Sequence, residues 1–134
     1  MTTLMSGRVY QLCVGIDIAA TTFTAAWLRP TDVPSPATSF RQSPAGFTAL
    51  QQQLQATGSA PAATLVVVEA TSSYWVALPV TLQAAGYVVS VVNPAKVHHY
   101  AQSLPRQSKT DPFDAQVLTQ FAAERRPAPR TFQV

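Results

Sequence analysis

Charged residues are scarce in this sequence: Asp, Glu, Lys and Arg together make up 11% of the 134 residues. There is one cysteine, Cys13, so no disulfide can form within the chain. No apolar stretch reaches the roughly 18 residues that a bilayer span needs, and the first six residues lack the basic flank and apolar core of a signal peptide. The length of 134 residues predicts a single domain. The absence of a long apolar stretch predicts that the chain does not span a membrane, and the lone thiol fits the reducing cytoplasm.

The basic residues concentrate towards the C-terminus. The net charge is +3 and the sequence pI is about 9.4, values that are compatible with nucleic acid as a partner. Six of the nine basic residues follow position 93. We predict phosphate contacts for five of them, namely Lys96, Arg106, Lys109, Arg125 and Arg126. The alternative is a solvated loop and helix end, where Arg125 and Arg126 would stabilise the helix dipole.

Hydrophobic patterning divides the chain into strands and helices. Two apolar segments, 10–19 and 22–28, predict a hairpin, and a short edge strand is predicted at 38–42. Ser43 before Pro44 predicts the start of a helix. The remaining predicted elements are that helix to 56, a strand at 65–68, a helix at 74–85, a strand at 87–92, and helices at 96–104 and 112–125. A hairpin followed by helical crossovers predicts an α/β fold with a mixed sheet covered by helices.

Four of the six acidic residues occupy unusual positions. Asp17 interrupts an apolar strand, where an isolated carboxylate is costly unless it is paired, protonated or bound to metal. Glu69 stands at the carboxyl end of a second apolar strand, which is where sites form in such sheets. Asp111 and Asp114 are three residues apart at the start of the last helix, so they can share one face of it. We therefore take these four carboxylates as candidates for one site.

Carboxylates brought close together repel one another unless a cation lies between them. Hard divalent cations such as Mg²⁺ or Mn²⁺ prefer oxygen ligands. Two such ions about 4 Å apart can activate a nucleophile and stabilise the leaving oxygen of an in-line phosphoryl displacement. His98 and His99 have no partners at ligand spacing, so we predict exposed positions for them rather than zinc ligation. The acidic set thus predicts metal-dependent phosphodiester chemistry.

Each acidic residue also has a structural interpretation, and patterning alone leaves both open. Asp17 could be a hydrogen-bonded residue of the hairpin turn, and Glu69 a solvated strand end. Asp111 precedes Pro112, which makes it a natural helix N-cap, with Asp114 as the reciprocal partner in a capping box. Capping and metal binding do not exclude each other, because one carboxylate can do both.

Four short motifs carry a family resemblance: Gly-Ile-Asp at 15–17, Glu-Ala-Thr at 69–71, Asn-Pro at 93–94 and Lys-Thr-Asp-Pro-Phe-Asp-Ala at 109–115. With these four motifs in this order, the sequence resembles the N-terminal domain of the DEDD transposases. These are the Piv-like invertases and the bridge-RNA-guided recombinases of insertion-sequence family 110. The resemblance covers about residues 10–125, and the full set of motifs is more specific than two aspartates three residues apart.

The resemblance implies an RNase H-like (RuvC-type) fold in which Asp17, Glu69, Asp111 and Asp114 form the catalytic and metal-binding tetrad. It further implies metal-dependent cleavage and rejoining of DNA strands during insertion-sequence transposition, with a structured guide RNA and a homo-oligomeric full-length protein. The sequence departs from the family at Ser72, where many relatives have glycine. We expect the turn there to differ in shape.

The implied domain organisation has three parts. An N-terminal extension at 1–9 precedes a RuvC-like catalytic domain at 10–125, and a Pro/Arg-rich tail follows at 126–134. In the family such a tail leads to a second domain that carries a catalytic serine. Because the sequence stops at Val134, we expect this chain alone to bind nucleic acid modestly and not to complete recombination.

Three other functions are compatible with parts of the pattern. A stand-alone RuvC-like junction nuclease would use the same four acids. An actin-like or sugar-kinase-like ATPase also opens with Gly-Ile-Asp, but the turn Ala19-Ala20-Thr21 lacks the glycines that let backbone amides approach phosphate. A non-catalytic nucleic-acid-binding module would bind regardless of metal and of the acids.

Overall fold

A computed structural model of the protein describes residues 10–29, 35–69, 77–92, 94–103, 115–125 and 127. The strands are β1 (Leu12–Ile18), β2 (Thr22–Leu28), β3 (Thr38–Arg41), β4 (Thr64–Glu69) and β5 (Val88–Val92), and the helices are α1 (Pro44–Ala56), α2 (Ala77–Ala84), α3 (Pro94–Ser103) and α4 (Ala115–Arg125). Every predicted strand and helix is present, with ends that differ by a few residues. The predicted helix starts at 74 and 112 lie outside the described residues. Patterning did not predict the short 3₁₀ turn Pro61–Ala63 before β4.

The five strands form one mixed sheet in the order β3-β2-β1-β4-β5. β1 pairs antiparallel with β2 and parallel with β4, and β4 pairs parallel with β5. The predicted mixed sheet is therefore confirmed, with β1 at its centre. None of the helices in the described ranges has both the length and the apolar character that a membrane crossing requires.

The sheet separates two hydrophobic clusters, because successive side chains of a strand point to opposite faces. On one face, Val14 and Ile16 of β1 pack with α1 and α2, including the predicted apolar stripe of α1. On the other face, Cys13 packs with residues of α3 and α4 such as Val97 and Leu118. β1 reads as a nearly continuous apolar run because helices cover both of its faces.

The start of α1 was predicted from Ser43 and Pro44, and the structure confirms it. The Ser43 hydroxyl accepts a hydrogen bond of 3.2 Å from the backbone N–H of Gly46, which would otherwise lack a partner within the helix. After α1, Gly58 adopts a φ of 83°, a conformation that glycine adopts without steric cost. Local sequence signals therefore define both ends of this helix.

Replacing Ser43 by alanine should lower the free energy of unfolding by about 1 kcal/mol, because the cap is lost. Thr48 lies exposed in the middle of the same helix, and Thr48→Ala, the control, should change stability by less than about 0.5 kcal/mol. Urea unfolding of both variants measures the difference. Equal effects of the two substitutions would show that the cap contributes nothing.

Candidate metal centre

Asp17 and Glu69 lie at adjacent positions on neighbouring strands. In the parallel pairing of β1 with β4, Ile16 is opposite Val68, so the next residues in this register are Asp17 and Glu69. Neighbouring strands are about 4.8 Å apart. The carboxyl ends of both strands meet at the same edge of the sheet, which is where sites form in α/β folds.

The two carboxylates also share one face of the sheet. Ile16 and Val68 belong to the cluster under α1 and α2, so the residues that follow them point to the opposite face. That face is covered by α3 and α4, and Val67, two residues before Glu69, packs in its cluster. Register and alternation together place Asp17 and Glu69 side by side towards α3 and α4.

The two acidic residues differ in their exposure to solvent. Glu69 is only 2% exposed and its Oε2 atom is fully buried, so the interpretation of Glu69 as a solvated strand end is wrong. Asp17 is half-buried and is paired with Thr24 of β2. It therefore lies within the strand and not in the hairpin turn. The carboxyl ends of β1 and β4 thus carry a buried carboxylate, that of Glu69, beside the partly exposed carboxylate of Asp17.

Gln42 supports the turn that directly follows the strand of Asp17. Its side-chain amide donates to the carbonyl oxygens of Ala19 and Ala20, the latter at 3.3 Å, and its backbone N–H donates to Thr21 O at 2.9 Å. Patterning had placed Gln42 only at the end of an edge strand. No local signal identifies this role, because the partners are more than twenty positions away in the sequence.

The other two predicted ligands, Asp111 and Asp114, lie outside the described residues. Asp114 directly precedes α4 in the sequence, and the first residue of that helix, Ala115, is buried. Leu118 and Phe121 are buried as predicted for the apolar stripe of this helix. Among the described residues no three His, Cys, Asp or Glu side chains form a cluster. The tetrad as a whole therefore stays a prediction.

The structure places two of the predicted phosphate-contacting residues on the surface. Lys96 is exposed on α3, and Arg125 is exposed at the end of α4, where its guanidinium lies 5.4 Å from the centre of the Tyr100 ring. That contact gives Arg125 a structural role as well. His98 and His99 are exposed, as predicted. The remaining candidates lie outside the described residues: Arg106, Lys109 and Arg126.

Without metal, Asp17→Asn should be as stable as the wild type or up to about 1 kcal/mol more stable, because it removes one of two neighbouring like charges. Thermal melts near neutral pH with a chelator present measure this. Glu124→Gln, at an exposed position of α4, is the control for loss of a carboxylate elsewhere. A large loss of stability in Asp17→Asn alone would identify Asp17 as a structural hydrogen-bond acceptor.

Comparisons with known proteins identify the family to which the sequence is related. Residues 14–133 match the family model DEDD_Tnp_IS110, described as a transposase. The pilin gene-inverting proteins of Moraxella lacunata and Moraxella bovis are 34% and 33% identical to the chain over 114 residues, which is 85% of this chain. The chain spans 35% of the length of each of these relatives.

Two solved structures of RuvC have the same fold. Thermus thermophilus RuvC, in a complex with a Holliday junction substrate, superposes with a TM-score of 0.58 at 14% identity, covering 87% of this chain and 96% of that one. A second structure of that RuvC gives the same TM-score and identity, covering 88% and 98%. At this identity the likeness concerns the fold alone, and it confirms the predicted RNase H-like, RuvC-type architecture.

Proposed function

The chain belongs to the DEDD transposase family of the IS110 type, and from that premise we propose that it holds divalent metal for cutting and rejoining DNA strands. The observation that carries the proposal is the placement of Asp17 beside Glu69 at the carboxyl edge of the sheet. The name of the pilin gene-inverting relatives describes the inversion of a gene, a rearrangement that requires strands to be cut and rejoined.

The donor set fits Mg²⁺ or Mn²⁺, because both ions prefer carboxylate oxygens. Asp17 and Glu69 would hold the metal together with Asp111 and Asp114. When bound, the metal supplies positive charge that polarises a phosphoryl oxygen and lowers the pKa of a water molecule. Glu69 is buried and would keep one carboxylate in a fixed orientation, whereas Asp17 is partly exposed and would remain accessible to a substrate.

The proposed substrate is DNA, held through its phosphates. Val92 at the end of β5 is paired with Glu69, and α3 begins two residues later. Lys96 is exposed on α3 and follows Val92 by four residues, so it is close in sequence to the strand end that lies beside Glu69. We propose it as a phosphate contact. Lys109, just before Asp111 in the sequence, is proposed as a second contact.

The wider organisation is proposed from family membership alone. Residues 10–125 would be the RuvC-like catalytic domain, preceded by an extension at 1–9 and followed by a tail at 126–134 that connects to a serine-bearing domain. A structured guide RNA and a homo-oligomeric assembly belong to the same proposal. On this basis the chain alone binds DNA but does not complete recombination.

The proposal is tested by coupling between metal and DNA binding. Because substrate phosphate completes the coordination of metal at such sites, Mn²⁺ should tighten binding of a labelled DNA duplex about tenfold or more at constant ionic strength. Glu69→Gln should lose this increase but keep the metal-independent binding, which falls steeply with salt. Fluorescence anisotropy measures both, and Glu124→Gln should behave like the wild type.

The other outcomes favour the alternative functions. DNA binding that is indifferent to Mn²⁺ and to Glu69→Gln would favour a non-catalytic binding module. Metal-dependent nicking of branched DNA by the chain alone, abolished in Glu69→Gln, would favour a stand-alone junction nuclease. Hydrolysis of ATP would favour an ATPase function. Site-specific strand exchange by this chain, resolved on denaturing gels, would contradict the proposed need for a second domain.

A further inference from the structure

The backbone of α4 contacts β1 at Gly15. A Cβ atom added to Gly15 would lie 2.3 Å from the backbone nitrogen of Thr119 and 2.6 Å from the carbonyl carbon of Leu118. Among the described glycines only Gly58 and Gly86 have a positive φ, so Gly15 is required for space and not for backbone conformation. Any side chain here would push α4 away from the sheet, since the atoms it would meet are backbone.

Thr119 makes a hydrogen bond at the same place. Its side chain is fully buried, and its hydroxyl donates to the carbonyl oxygen of Cys13 at 2.8 Å, across 106 positions of sequence. The apolar contacts of α4, such as those of Leu118 and Phe121, are not directional. The hydrogen bond is directional, so together with the close approach at Gly15 it restrains both the distance and the axial position of the helix. We call these two interactions the Gly15–Thr119 contact.

The Gly15–Thr119 contact joins β1, which carries Asp17, to α4, whose first residue directly follows Asp114 in the sequence. Gly15 is two residues before Asp17 on the same face of β1, a separation of about 6.6 Å along the strand. Thr119 is four residues after Ala115, the first residue of α4, a rise of about 6 Å along an α-helix, and Asp114 directly precedes Ala115 in the sequence. One rigid contact thus connects the strand that carries Asp17 to the helix that Asp114 precedes.

We propose that Gly15 and Thr119 are positioning residues for the metal centre, which fix the N-terminal end of α4 relative to the carboxylates on the sheet. This inference rests on the proposed function. Mg²⁺ requires near-ideal octahedral geometry with ligand distances of about 2.0–2.1 Å. A site whose ligands come from two elements therefore depends on the contact that holds those elements together.

The test measures Mn²⁺ affinity of the 134-residue chain by titration calorimetry, beside urea unfolding without metal. Thr119→Val, which removes the hydroxyl and keeps the shape, should weaken Mn²⁺ binding about tenfold or more. Gly15→Ala should do the same. Thr119→Ser, which keeps the hydroxyl, should stay within about threefold of the wild type. Val89→Ala, at a buried position in the cluster on the opposite face of the sheet, is the control for general destabilisation.

If the role of Thr119 is merely structural, Thr119→Val and Val89→Ala should both lower stability, and both should leave the Mn²⁺ affinity unchanged. That result overturns the inference. If Gly15→Ala does not fold, the comparison of Thr119→Val with Thr119→Ser decides. Loss of binding in Asp17→Asn with unchanged binding in Thr119→Val rejects positioning but supports the metal centre. Unchanged binding in Asp17→Asn rejects the metal centre itself and the positioning role with it.

Discussion

The double substitution D17N/D114N is expected to weaken Mn²⁺ binding at least 100-fold. Loss of a residue that only supports a metal ligand typically reduces affinity about 10- to 100-fold, and this variant removes two of the four predicted direct ligands. Asparagine keeps the size of the side chain and one oxygen but loses the negative charge that attracts the cation. Titration calorimetry, with and without a short DNA duplex, measures the affinity.

A matched control removes the same number of carboxylates elsewhere. D32N/E124Q lowers the negative charge by the same amount at two positions outside the predicted tetrad, so it reports the effect of net charge alone. It should bind Mn²⁺ as the wild type does. Retention of Mn²⁺ binding in D17N/D114N would place the site elsewhere in the protein.

The second large effect concerns the core under α1. Phe23 is fully buried, stacks on Phe40 with ring centres 5.1 Å apart, and contacts Phe47 at 5.9 Å. Phe23→Ala should lower the free energy of unfolding by about 3–5 kcal/mol, because it removes buried apolar area and leaves a cavity. Urea unfolding measures this loss, with the slope of the transition as a check on two-state behaviour.

Phe40→Ala is the control for loss of one aromatic side chain. Phe40 lies on the edge strand β3 and is only partly buried, so its loss should cost clearly less than that of Phe23. A loss below about 1 kcal/mol for Phe23→Ala would show that the core can collapse around the cavity, and equal large costs would show that Phe40 contributes as much to the core as Phe23. Phe23 pairs with Ile18, next to Asp17, so the same core also supports the candidate metal centre.

Local patterns predicted the kinds of elements and several of their ends. β2 was predicted at 22–28 and is observed as Thr22–Leu28. The helix that begins after Ser43 is observed to end at Ala56, as predicted. Such features depend on residues that are neighbours in the chain, namely on caps, glycines and the period of apolar residues.

Contacts between distant residues escaped prediction. The sequence shows Gly15 only as part of the Gly-Ile-Asp motif, and its contact with α4 depends on which helix packs there. No sequence pattern distinguishes Thr119 from the other polar residues of the last helix. Its hydrogen bond to the Cys13 carbonyl oxygen depends on how that helix packs against β1. Gln42 likewise has its partners on a turn that precedes it by more than twenty positions. Side-chain hydrogen bonds of this kind leave no periodic signal in the sequence.

The sequence by itself determined the family, the order of strands and helices, and the four acids as candidate ligands, because motifs and apolar periods are local properties of the chain. Only the tertiary structure decided that Asp17 and Glu69 are side by side and that Glu69 is buried while Asp17 is partly exposed. The physical reason is that strand register and burial follow from the packing of β1, β4 and α4 against each other. That packing joins residues far apart in the chain, and only the folded sheet brings their carboxylates to one edge.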